Sequence, residues 1–241
     1  TEKLVPFMAV IYIVGGLAVI LLNITNIPMA IATIVKSAFT GQAAVGGFAG
    51  ATILYAMRYG VARGVFTNEA GLGSAPIAHA AATTDHPARQ GLWGAFEVFS
   101  DTIVIASITA LCIVSTGVWE TGLTGVELTS AAFDSVIPGG HYIVSIGLAL
   151  FAYSTMLGWE YYGERCFEYL FGTKPIMGYR LVFLALIIVG AIGGLEPIWD
   201  LADTLNGMMS IPNLIGVLGL SGTVFKLTKD FFDKEGILKA K

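Results

Sequence analysis

Long stretches free of Lys, Arg, Asp and Glu set the pattern of this chain: 4–35, 37–57, 102–119, 135–159, 181–195 and 204–225. A membrane-spanning helix needs about 20 mainly apolar residues, and most of these runs reach or approach that length. The runs and their breaks predict six spans. Residues 4–22 form the first, ending at the turn-like Asn23-Ile-Thr-Asn26. The second, 27–62, is too long for one ordinary crossing and is punctuated by Gly41, Gly46, Gly47 and Gly50. The third covers about 91–116, the fourth about 141–168, the fifth about 177–194 and the sixth about 198–228. Pro212 lies inside the sixth, where its missing backbone donor is expected to kink or divide the helix.

Composition agrees with a bilayer. Only 12% of residues are charged, against about 25% in a soluble domain. Too few polar side chains remain to cover a water-facing globule. A sequence pI of about 5.3 offers no basic footprint for nucleic acid. Cys112 and Cys166 lie in or beside apolar segments without CxxC spacing and read as two free buried thiols. Neither His79 nor His86 has a second ligand at metal spacing, which argues against zinc. Thr1 is not an initiator methionine, and the run from Leu4 is longer than a signal-peptide core, so it reads as a true span in a chain whose beginning is missing.

The charges also orient the spans. With residue 1 inside, 12 of the 13 basic residues fall on the inner side, leaving only Lys36 outside. The outer segment 117–140 carries Glu120, Glu127 and Asp134 but no Lys or Arg. This positive-inside pattern favours a multi-pass protein of the cell membrane with a cytoplasmic C-terminus.

The second span carries the first candidate chemistry. Residues 27–40 and 50–62 can form two half helices around GQAAVGGFAG, 41–50. An unwound backbone in hydrocarbon is tolerated only where it lines a cavity or ligand, and transporters use such breaks to hold substrates and sodium. Gly46, Gly47 and Gly50 would allow close backbone approach, with Phe48 as an apolar wall. The other reading is a glycine-rich helix packed on a neighbour. GVFTNEAGLGS, 64–74, follows Arg58 and Arg63, which place it at the cytoplasmic side as a loop. Asn68 and Glu69 are in position to cap a helix over 75–83, and Arg63, Asn68 and Glu69 together suggest a gating element. Glu97 and Asp101, spaced i,i+4, are expected to face one way near Arg89 as an interfacial ion-pair cluster. Glu160, Glu164 and Arg165 read as a similar network at the cytoplasmic end of the fourth span.

At RYGVARGVFTNEAGLGSAPIAHAAATTDHPARQG, 58–91, the chain resembles the alanine or glycine:cation symporters, the sodium:alanine symporter family. EVFSDTIVIASITALCIVSTG (97–117) and FAYSTMLGWEYYGERCFEYLFG (151–172) resemble the same family in order and spacing. The likeness covers essentially the whole chain, but members are roughly twice this length, and their first glycine-rich broken helix is absent. The resemblance implies an all-α polytopic membrane protein, residues 1–241 being a single transmembrane domain and the second half of a leucine-transporter-like inverted-repeat fold. It implies a sodium-driven symporter of a small neutral amino acid, alanine or glycine, rather than an enzyme, completed by a missing N-terminal half and surrounded by membrane lipid. It assigns sodium to Ser154 and Thr155, with the 41–50 backbone, Phe48 and Trp159 around the amino acid. Ser154 and Thr155 have an alternative role, bonding back to helix carbonyls, and Trp159 an alternative as an interfacial tryptophan. Proton coupling through Glu97 or Asp101, an intramembrane enzyme and a non-transporting subunit are the rival classes; no convergent set of acids and His79, His86 or His141 favours the enzyme.

Overall fold

The computed structural model describes residues 3–39, 53–192 and 195–234, and all regular structure among them is helical. The chain divides into two compact units, Thr1–Arg63 with Asp101–Gly158, and Gly64–Ser100 with Trp159–Lys241. Among the described residues three helices are long and apolar enough to cross a membrane, Leu4–Leu22, Pro87–Thr116 and Gly140–Phe171, or four if one bent pair is a single span.

In the first unit, α1 (Leu4–Leu22) is apolar all round, as a lipid-facing helix must be. Its buried residues, Met8, Tyr12, Gly15, Gly16 and Val19, follow helical spacing, while Phe7, Val10, Val14 and Leu21 are exposed. The helix stops where the Asn23 side chain donates to the Val19 carbonyl at 3.1 Å. Within the second predicted span the described residues form α2 (Ile27–Phe39) and α3 (Ile53–Asn68), the latter running six residues beyond the expected end at 62; the predicted break at 41–50 lies outside the described residues. A short α4 (Ala75–His79) follows a loop.

The third span begins earlier than expected, at α5 (Pro87–Val98). Pro87 suits a first helical position, and the His86 ring caps the helix by accepting from Ala88 N at 3.2 Å. It continues through a π-helical stretch, Phe99–Ile105, into α6 (Ala106–Thr116), and stops at Gly117, whose left-handed φ of 75° suits glycine. Asp101 lies within the π-helical stretch, Glu97 pairs with His79 at 3.2 Å, and Arg89 pairs with Asp85 at 2.8 Å.

That unit's core joins Tyr12, Val19, Ile108, Cys112, Phe133 and Val144. Phe133 comes from α7 (Gly125–Asp134), which the span pattern did not predict. Close approach depends on missing side chains: a Cβ on Gly16 would collide with Ile108, and the Cys112 thiol donates to the Gly16 carbonyl at 3.4 Å. Cys112 is thus buried as expected, but Cys166 is exposed, because it lies on an outward face of α8 (Gly140–Phe171).

The start of α8 is capped from outside its own sequence. Asp134 accepts from the His141 backbone N–H at 2.9 Å and from the His141 ring at 2.7 Å. These bonds, the backbone one foremost, hold the Asp134 carboxyl below its usual range. The stability it contributes is complete above an ordinary aspartate pKa of about 3.9 and is lost as pH falls through the lower folded value. Asp134→Asn is therefore expected to lower thermal stability at neutral pH and to flatten the decline measured on acidification.

In the second unit α9 (Ile176–Ile192) is apolar but only 17 residues long, at the short end of what crosses a bilayer. α10 (Leu195–Gly219) contains Pro212 without being divided by it. The 61° bend comes later, between Gly219 and α11 (Ser221–Lys234). There Gly219 weakens the helix and the Ser221 hydroxyl donates back to the Leu218 carbonyl at 2.7 Å, a Gly/Ser pairing of the kind that bends helices.

Candidate functional site

α8 carries the residues assigned to the ion. Ser154 is half-buried, and its hydroxyl donates to the Phe151 carbonyl at 2.9 Å. That bond uses its one proton and leaves the oxygen lone pairs available to a cation. Thr155 is exposed beside it. Trp159 stands one helical turn beyond Thr155, and its ring meets Tyr162 edge-on at 5.8 Å. Gly46, Gly47, Phe48 and Gly50 lie outside the described residues.

The signature loop has a defined shape. Arg63 is half-buried on the last turns of α3. Asn68 ends that helix by accepting from Ala70 N at 2.9 Å. Glu69 adopts φ 53°, in the left-handed region, and accepts from the buried Ser74 hydroxyl at 2.8 Å. The expected capping of α4 by Asn68 and Glu69 does not occur: Asn68 closes its own turn, and α4 begins at Ser74 without a side-chain cap. Burial raises the Glu69 carboxyl above its usual range, the nearby Glu97 adds to this, and the Ser74 bond opposes it. Gly73, at φ 84°, brings the loop against Asn213, leaving about 3.0 Å between a would-be Cβ and Asn213 Oδ1. Leu72 is buried at the same place. The alternation of glycines in AGLGS was the available signal for this docking, but it names no partner.

The expected network at the far end of α8 is present and larger. Buried Glu164 accepts from Arg165 and, at 2.6 Å, from Arg180 of α9; Arg165 also reaches Glu168, and Arg180 approaches Glu160 at 3.7 Å. A second polar chain, absent from the sequence reading, joins Gln90, His79 and Glu97, with Gln90 Nε2 2.7 Å from His79 Nδ1.

The first unit contains a cavity of about 360 Å³ bounded by Tyr12, Asp101, Thr129, Leu148 and Phe151 among others. Thr109 donates to the Ile105 carbonyl at 2.9 Å, so the Tyr12 hydroxyl must donate to Thr109, 2.7 Å away. Among the described residues no group of three or more His, Cys, Asp and Glu is placed to hold a metal ion.

The apolar helices long enough to span, together with the family match given next, define a multi-pass membrane protein. The chain belongs to the sodium:alanine symporter family, which it matches over residues 1–240. It is 53% identical over 235 residues to the sodium/alanine symporter AgcS of Methanococcus maripaludis, covering 96% of this chain and 51% of that protein. It is 42% identical over 233 residues to the probable sodium/glutamine symporter GlnT of Bacillus subtilis, covering 95% and 48%. A sodium/proton-dependent alanine carrier protein of Bacillus sp. (strain PS3) is 35% identical over 250 residues, with 95% and 55% covered. The chain therefore spans about half the length of the curated relatives it matches.

Proposed function

We propose that this chain is part of a secondary transporter that moves a small neutral amino acid, alanine or glycine, together with sodium by alternating access. The observation that carries this reading is the family match over residues 1–240, with 53% identity to a protein named as a sodium/alanine symporter. In this reading the protein adopts the leucine-transporter-like inverted-repeat fold with six spans in this chain, its C-terminus cytoplasmic, and the rest of the whole transporter supplies the remaining wall of the site.

Ser154 and Thr155 contribute oxygens to sodium, replacing part of its hydration shell; the bond from Ser154 to the Phe151 carbonyl supports this by presenting lone pairs rather than a proton. The 41–50 backbone and Phe48 hold the amino acid, Trp159 bounds the pocket, and the loop carrying Arg63, Asn68 and Glu69 gates the inner side. A tenfold sodium gradient supplies about 1.4 kcal/mol, and one charge crossing 100 mV about 2.3 kcal/mol more. Together these support accumulation on the order of several hundred-fold per sodium ion.

The test is uptake of labelled alanine by the full-length protein with sodium replaced by choline. Uptake is expected to collapse; undiminished uptake rejects sodium coupling. Ser154→Ala with Thr155→Ala is expected to raise the sodium concentration for half-maximal uptake by about tenfold, equivalent to about 1.4 kcal/mol. An unchanged sodium dependence rejects the assigned site. The name of the Bacillus PS3 relative favours one second reading, in which protons also drive transport. It predicts that a proton gradient sustains uptake in choline and that neutralising Glu97 or Asp101 removes that component.

A further inference from the structure

α11 is unlike the spanning helices. Five of its 14 residues are charged, Lys226, Lys229, Asp230, Asp233 and Lys234, which is incompatible with burial in hydrocarbon. At 3.6 residues per turn Val224, Phe225, Leu227, Phe231 and Phe232 share an arc of about 160°. The C-terminal end of that apolar strip is docked: Phe231 is buried, with the His86 ring 5.2 Å away and the Arg89 guanidinium 5.3 Å from its centre. The N-terminal edge is open, with Val224 54% and Phe225 73% exposed, continuing the exposed Leu218 and Leu220 at the end of α10.

We propose that α11 lies along the bilayer surface on the side where the C-terminus emerges, and binds anionic phospholipid headgroups. Three observations converge on this occupant. The 61° bend turns α11 away from the direction of α10. With α10 crossing as in the proposed six-span reading, on which this inference rests, the bend delivers α11 toward the membrane plane. The open apolar edge is continuous with the lipid-facing end of that span. The charge is complementary: five lysines face three acids from 221 to 241, and Asp230 is already engaged by Lys234 at 2.8 Å and approached by His86 at 3.7 Å. Exposed Lys226 and Lys229 are left to meet headgroup phosphates while Phe225 enters the acyl boundary. The Phe231 contact ties this helix to the start of α5.

The experiment uses the full-length protein in lipid nanodiscs, with Cys166→Ser and a nitroxide at Phe225→Cys or Lys226→Cys. The label at 225 is expected to collide with oxygen and be shielded from a water-soluble nickel chelate, with the opposite pattern at 226. Adding phosphatidylglycerol to phosphatidylcholine discs is expected to move the label at 225 deeper, and Lys226→Gln with Lys229→Gln to abolish that shift. Equal nickel access at the two positions places the helix in water and overturns the proposal. A label at 225 closed to both reagents places it against protein, with the same consequence. A depth indifferent to phosphatidylglycerol overturns the headgroup contact.

Discussion

Phe133→Ala is expected to destabilise the full-length protein by about 3–5 kcal/mol, the usual cost of emptying a fully buried phenylalanine site. Phe133 is completely buried, and its ring lies 5.7 Å from that of Tyr12. It also reaches Gly15 of α1, where a Cβ would stand 3.3 Å from Phe133 Cε1. One side chain from α7 therefore packs into the space that Gly15 leaves open in α1, while Ile108 takes that at Gly16. Collapse into the vacancy would require the backbones of two helices to move, so much of the cavity is expected to remain. Thermal unfolding in detergent, followed by loss of the monodisperse species, measures the effect. Phe133→Leu should lose less than half as much, since it restores most of the volume.

Gly140→Ala attacks the same junction from the other side and is expected to cost about 1–3 kcal/mol through overpacking. An added Cβ would lie 2.7 Å from both the carbonyl carbon and oxygen of Phe133. These are backbone atoms at the end of α7, which cannot rotate away as the tip of a side chain would. Relief would have to shift the start of α8 and disturb the cap that Asp134 makes on His141. Gly178→Ala, where nothing lies within 4 Å, is the comparison and should be close to neutral in the same assay. Equal losses at the two glycines would contradict the packing described for the junction.

What could be read from the sequence was set by period and by charge. α1 matches its prediction residue for residue because Lys3 and Asn23 bracket an uninterrupted apolar run. The charge network around Glu164 was visible as a cluster within one helix, but the participation of Arg180 depends on the packing of α9, which a linear pattern does not contain. The π turns at 99–105 left no trace in hydropathy, since FSDTIVI is as compatible with an α-helix as with a wider one. Pro212 was expected to kink or divide α10; the helix runs through it undivided, and a 61° bend follows at Gly219 and Ser221, a pair the pattern did not single out. Within the candidate site, Ser154, Thr155 and Trp159 drew attention through family resemblance, because hydroxyls in an apolar helix are common and by themselves unspecific. The left-handed Glu69 was invisible, since its conformation is imposed by the loop's docking of Leu72 and its bond with Ser74.

Sodium coupling is the central claim, and coupling must work in both directions. The full-length protein is reconstituted into sealed proteoliposomes at zero membrane potential, with equal sodium on both sides and alanine added outside. If the account is right, the inward alanine gradient drives radioactive sodium into the vesicles above its equilibrium level, and the excess disappears when alanine is equal on both sides. Sodium entry that ignores the alanine gradient, while alanine itself still enters, would contradict it.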